Sequence, residues 1–174
     1  MRGPTTPEGL RRFMVEVGRA VTDPTDVYFT GGVTAILHGW RDSTIDIDLT
    51  MEPESDELLR AVPRLKESLS LNVELASPDH FIPALPGWRE RSLFIAQEGS
   101  VTFRHYDLYA QALSKIERGH DQDLRDVGRM LGDGLVDRAE LLRHFEQIEP
   151  LLYRFPAIEP ASFRRAVERA ILDQ

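Results

Sequence analysis

Residues 28–51 read YFTGGVTAILHGWRDSTIDIDLTM, and this stretch decides the fold. A short apolar segment leads into Gly31-Gly32. Two glycines at a strand-to-helix turn let backbone N–H groups approach a phosphate closely. A helix-like run follows from Val33 to His38, with Gly39 suited to its C-terminal turn. From Ile45 to Met51 the pattern alternates. Ile45, Ile47 and Leu49 would face a core, while Asp46, Asp48 and Thr50 would face a cleft. Side chains two apart on a strand share a face, so Asp46 and Asp48 would stand side by side. That is costly for like charges unless a cation lies between them. Mg²⁺ or Mn²⁺ suits such a place, because it takes one or two carboxylates, several waters and substrate phosphates. A bare Asp-x-Asp is most often a solvated strand edge. Separated from a glycine pair by thirteen residues, with alternating apolar partners, it reads as a metal site.

Outward from this stretch, the flanking chain supplies the rest of an α/β domain. Thr6-Pro7-Glu8 starts a helix with Pro in its first turn. Leu10, Phe13, Met14, Val17 and Val21 recur at helical spacing, and the helix should stop near Asp23-Pro24. Val27-Tyr28-Phe29 reads as a buried strand. Residues 55–69 form a helix with Leu58, Leu59, Val62, Leu65 and Leu69 inward. Residues 71–75 alternate as a third strand, which places Glu74 beside the carboxylate strand. Residues 78–88 read as a loop. Residues 92–97 and 100–106 suit two strands joined by Glu98-Gly99. Beyond residue 106 the period is helical throughout, with segments 108–117, 121–131, 138–148 and 161–172. The expected layout is a catalytic core over residues 1–105 and a helical part over residues 106–174.

Composition limits the function classes. The chain of 174 residues carries a net charge of −8, which disfavours non-specific DNA binding. It leaves open RNA held through a local basic patch. With no cysteine, disulfides, thiolate catalysis and cysteine zinc sites are excluded. The five histidines show no metal-ligand spacing. No apolar run nears the roughly 20 residues that span a bilayer, and residues 1–13 lack a signal-peptide core. The chain reads as cytoplasmic. Only two lysines occur, Lys66 and Lys115, so each position carries weight.

Glycine pair, helix and Asp-x-Asp together resemble the nucleotidyltransferase superfamily that includes DNA polymerase β. The chain is similar, more narrowly, to AbiEii/MenT-type nucleotidyltransferases of bacterial toxin–antitoxin systems. The residues that carry this are YFTGGVTAILHGWRDSTIDIDL and, over 107–127, DLYAQALSKIERGHDQDLRDV. The resemblance covers roughly residues 27–130. It implies a mixed sheet flanked by helices and transfer of a nucleoside monophosphate from a nucleoside triphosphate such as ATP to a hydroxyl. It implies that Gly31 and Gly32 hold the triphosphate, that Asp46 and Asp48 bind the metals, and that Lys115 and Asp123 contact the nucleotide, with Asp126 an alternative to Asp123. Val33 departs from the pattern, standing where many members carry a hydroxyl; Thr34 or Thr30 would have to supply it. Glu74 is the candidate third metal ligand and general base, with Asp79 in reserve. Arg41 and Lys115 would balance triphosphate charge, Arg41 with its guanidinium fork and Lys115, counted with the catalytic set, as a point charge. The implied acceptor is a tRNA 3′ end or a protein hydroxyl, and the implied partner is an antitoxin protein.

Two other readings compete. The protein could be an antitoxin or binding module that keeps the fold and little catalysis. Asp46-Ile47-Asp48-Leu49-Thr50 also matches the Asp-x-Asp-x-Thr of haloacid-dehalogenase-type phosphatases. That fold requires an apolar strand immediately before the first Asp, and Arg41-Asp42-Ser43-Thr44 supplies none.

Overall fold

A computed structural model describes residues 2–173 and shows a mixed α/β protein. The chain divides into two units: residues up to Ser77 with Ser92–Tyr106, and Pro78–Arg91 with the residues from Asp107 onward.

The first unit is built on a five-stranded mixed sheet with order β3-β2-β1-β5-β4. The strands are β1 (Thr25–Thr30), β2 (Asp46–Glu52), β3 (Asn72–Leu75), β4 (Phe94–Glu98) and β5 (Val101–His105). β1 runs antiparallel to β2 and parallel to β5; β2 and β3 are parallel; β4 and β5 form an antiparallel hairpin. Alternation sorts the sheet faces. Val27, Phe29, Ile47, Leu49, Val73, Val101 and Phe103 are buried in the core. They pack with Leu10, Phe13, Met14 and Val17 of α1 (Pro7–Ala20) and with Leu58, Ala61 and Leu65 of α3 (Asp56–Ser68). The other face carries Asp26, Tyr28 and Thr30 of β1, Asp46, Asp48 and Thr50 of β2, Asn72 and Glu74 of β3, and Arg104 of β5.

Local capping sets the helix starts. Thr6 accepts from the Gly9 N–H and Ser55 from the Leu58 N–H, so each hydroxyl satisfies an otherwise orphaned donor. α1 stops at Ala20, before the expected Asp23-Pro24, because Val21 is already extended. Gly18 explains how closely α1 can lie on the β4–β5 hairpin. A Cβ there would stand 2.5 Å from Glu98 Cβ and 2.7 Å from its carbonyl oxygen.

Ile45 corrects one expectation. It is 69% exposed, outside the core, and β2 begins one residue later. The physical cause is the neighbouring bridge between Thr44 and Thr5, which bends the chain before ladder pairing starts at Asp46.

The second unit is helical: α4 (Trp88–Arg91), α5 (Leu108–Arg118), α6 (Asp121–Gly132), α7 (Arg138–Ile148) and α8 (Pro160–Leu172). The segment that reads as a loop over 78–88 instead contains a 3-10 turn, Pro78–His80, and leads into the single turn of α4. Its allegiance to this unit has a named cause. Arg91 donates through Nε and Nη2 to Asp107 Oδ2 at 3.1 and 2.7 Å, while Asp107 Oδ1 caps α5 at the Tyr109 N–H. A further 3-10 segment, Glu149–Arg154, follows α7. Phe145 and Phe163 meet edge to face at 4.9 Å and join α7 to α8. Among the described residues, no helix is long and apolar enough to cross a membrane.

Candidate active site

The polar face of the first unit brings several of the sequence candidates together. Asp46 and Asp48 are half-buried on β2, two residues apart and on one face. Across the sheet, Asp48 is paired with Thr30 on one side and Glu74 on the other. Directly paired residues project from the same face, so Thr30, Asp48 and Glu74 form a row over three strands. Glu74 is exposed. Asp46 is paired with Asn72, one step along the same face.

The glycine turn closes on this row. Gly31 has φ +63° and ψ −131°, a conformation essentially reserved for glycine. A Cβ at Gly31 would lie 2.6 Å from Asp48 Oδ2. The second carboxylate therefore rests directly on the turn that precedes α2 (Gly32–Leu37). Gly32 is fitted just as closely, because a Cβ there would overlap the Thr44 hydroxyl. Two residues predicted from different halves of the motif, Gly31 and Asp48, are thus in contact through tertiary structure.

The other candidates are placed differently. Thr34 is fully buried, and its hydroxyl lies 3.2 Å from His105 Nδ1, inside the unit. His38 donates from Nδ1 to the Thr34 carbonyl at 2.8 Å, and its ring stands 4.7 Å from His105 and 5.0 Å from Trp40. Burial, with the nearby His38 charge, lowers the His105 pKa to about 4. This cluster holds α2 against β5. Arg41 is half-buried in the connection from α2 to β2.

Lys115, Asp123 and Asp126 lie in the second unit, as does exposed Asp79. Lys115 is 5% exposed, with Nζ at 2.9 Å from Asp126 Oδ2 and 3.4 Å from Asp123 Oδ1. Arg118 forks onto Asp123 at 2.8 and 2.6 Å. Burial pushes the Asp123 carboxyl up, but the Arg118 hydrogen bonds and the Lys115 and Arg118 charges outweigh it and hold it below its ordinary value. Within its unit this network ties α5 to α6. The Arg118 contribution has a sequence signal: it lies three residues after Lys115, on the same helical face. Thr5 and Thr44 have no comparable signal, since a backbone bridge over 39 residues leaves no local pattern.

Among the described residues, no three His, Cys, Asp or Glu side chains form a cluster able to hold a metal ion by themselves. The donor set is nonetheless the kind that Mg²⁺ uses, paired carboxylates completed by water and phosphate oxygens. The phosphatase reading does not match. Asp46 opens β2, so no buried strand leads up to it.

A glycine turn folded onto a carboxylate strand in a mixed sheet is the arrangement that the resemblance to nucleotidyltransferases implies. The profile of the family described as a nucleotidyltransferase of unknown function, DUF6036, matches residues 12–150, and the chain belongs to that family. The match covers both the glycine–carboxylate stretch and the Lys115 network. No curated protein and no solved structure matches the chain.

Proposed function

We propose that the protein is a metal-dependent nucleotidyltransferase that moves a nucleoside monophosphate from a triphosphate, ATP among the candidates, to a macromolecular hydroxyl. The contact between Gly31 and the Asp48 carboxylate carries this reading, because it puts a phosphate-compatible turn against a metal-compatible oxygen. Asp46 and Asp48, with Glu74 beside them, are the residues that would hold Mg²⁺ or Mn²⁺. Such an ion, when bound, supplies charge neutralisation at the phosphates and lowers the pKa of the attacking hydroxyl. The chain's own work is positioning and charge placement. The Gly31–Gly32 N–H groups accommodate the triphosphate, and Arg41 offers it a guanidinium fork. The acceptor oxygen bonds to the α-phosphorus, the bond to the bridging oxygen breaks, and pyrophosphate departs. The hydroxyl proton passes to Glu74.

Lys115 and Asp123 enter as nucleotide contacts through the resemblance to the AbiEii/MenT-type enzymes. In the second unit Lys115 also neutralises two buried acids, so substitution there will test both roles. The same resemblance supports a toxin of a toxin–antitoxin pair, acting in the cytoplasm on a tRNA 3′ end or a protein hydroxyl and restrained by a cognate antitoxin. To test this, the protein is incubated with each α-labelled nucleoside triphosphate, Mg²⁺, and total tRNA or cell protein. Label should pass to one acceptor class, and both Asp48→Ala and chelation should abolish transfer. Absence of transfer by the wild-type protein to either acceptor would sink the proposal.

A further inference from the structure

We infer that Thr44 is a positioning residue, one that sets the distance between the glycine turn and the carboxylate strand. This rests on the reading of Asp46 and Asp48 as the metal-holding pair. Three observations meet at this side chain. Its hydroxyl donates to the Asp46 carbonyl at 3.2 Å, fixing the backbone at the first residue of β2. The same hydroxyl occupies the space that a Cβ on Gly32 would need, and the Thr44 Cβ stands 2.6 Å from that point. Its backbone is clamped from outside the site. The Thr5 N–H donates to the Thr44 carbonyl at 2.6 Å, and the Thr44 N–H donates to the Thr5 carbonyl at 2.9 Å.

These contacts hold one residue by two parts: two backbone hydrogen bonds tie Thr44 to Thr5, and its side chain packs against Gly32. Thr5 is 0% exposed, so its end of the bridge is itself fixed. The bond to the Asp46 carbonyl then carries this position into the strand that holds both carboxylates. Thr5 also precedes the residues that match the family profile, which begin at 12. The support of this site therefore includes a segment ahead of the family match. Thr44 itself needs no contact with substrate or metal. It acts through the Asp46 backbone and through Gly32.

Mn²⁺ binding, followed by electron paramagnetic resonance on the full chain, tests the inference alongside the transfer assay. Thr44→Val removes the donor and puts a methyl group against Gly32. Mn²⁺ affinity should fall about tenfold, the effect of losing one net hydrogen bond. Thr44→Ser keeps the donor and should bind as the wild type does. A second pair is independent of the Val variant's stability. Gly32→Ala should lose Mn²⁺ binding through overlap with Thr44, and adding Thr44→Gly should restore part of it. Circular dichroism checks that each variant is folded. If Thr44→Val binds Mn²⁺ like the wild type, or Thr44→Gly gives Gly32→Ala no relief, the inference is overturned. If the wild-type protein binds no Mn²⁺, the metal-site reading fails first, and the two failures are distinguishable.

Discussion

Gly31→Ala is the substitution that bears most directly on the site, and two separable costs can be assigned to it. Placing an L-residue at φ +63°, ψ −131° costs about 1–3 kcal/mol. Restricting the unfolded chain returns about 0.4–1 kcal/mol. The added Cβ, 2.6 Å from Asp48 Oδ2, must also push the carboxylate aside, which costs about 1 kcal/mol more in overpacking. The net loss is about 2 kcal/mol. Gly39→Ala provides the control. It also has a positive φ, +75°, but nothing lies within 4 Å of its Cβ position. It should lose only the backbone share. The assay exploits the tryptophans, because Trp40 lies in the first unit and Trp88 in the second. In a Trp88→Phe background, Trp40 fluorescence during urea unfolding reports the first unit alone. Gly31→Ala should lower the midpoint more than Gly39→Ala does and should abolish Mn²⁺ binding, while Gly39→Ala leaves binding intact. Equal midpoints with retained binding in both would refute the claim that Gly31 and the Asp48 carboxylate are mutually fitted.

Lys115→Met should destabilise the second unit by about 3–5 kcal/mol, because it leaves Asp123 and Asp126 buried with reduced compensation. Urea unfolding followed by Trp88 in a Trp40→Phe background measures this, and adding Asp126→Asn should recover part of the loss. His105 gives a pH dependence. Its folded pKa of about 4 lies below the ordinary 6.5, so between these values the unfolded chain binds the extra proton. Its contribution is fully favourable above pH 6.5 and is lost as pH falls toward 4, amounting to about 3 kcal/mol. The slope of stability against pH over that window should flatten in His105→Gln. Gly18→Ala should cost the first unit about 1–3 kcal/mol by overpacking against Glu98, read as a lowered urea midpoint under Trp40 fluorescence.

Residues 28–51 by themselves determined the α/β class, the glycine turn and the carboxylate strand, because each is a local property. Alternation of period two put Ile47 and Leu49 inward and Asp46 and Asp48 on the opposite face. Glu74 was legible for the same reason, once a third strand was read. Helical periodicity located the C-terminal helices, and Arg138–Ile148 matches its expected span. What tertiary structure alone decided involves partners far apart in the chain. The Gly31 contact with Asp48 depends on how α2 turns back over β2. Ile45 is exposed although its pattern is apolar, since the bridge from Thr5 bends the chain there. Thr34 faces His105 across 71 residues, so its hydroxyl serves the interior. Segment 78–91 joins the helical unit through Arg91 and Asp107. Lys115 is buried because Asp123 and Asp126, eight and eleven residues further on, neutralise it. Periodicity records which face of an element is apolar. It carries no record of which distant side chain will meet the polar one.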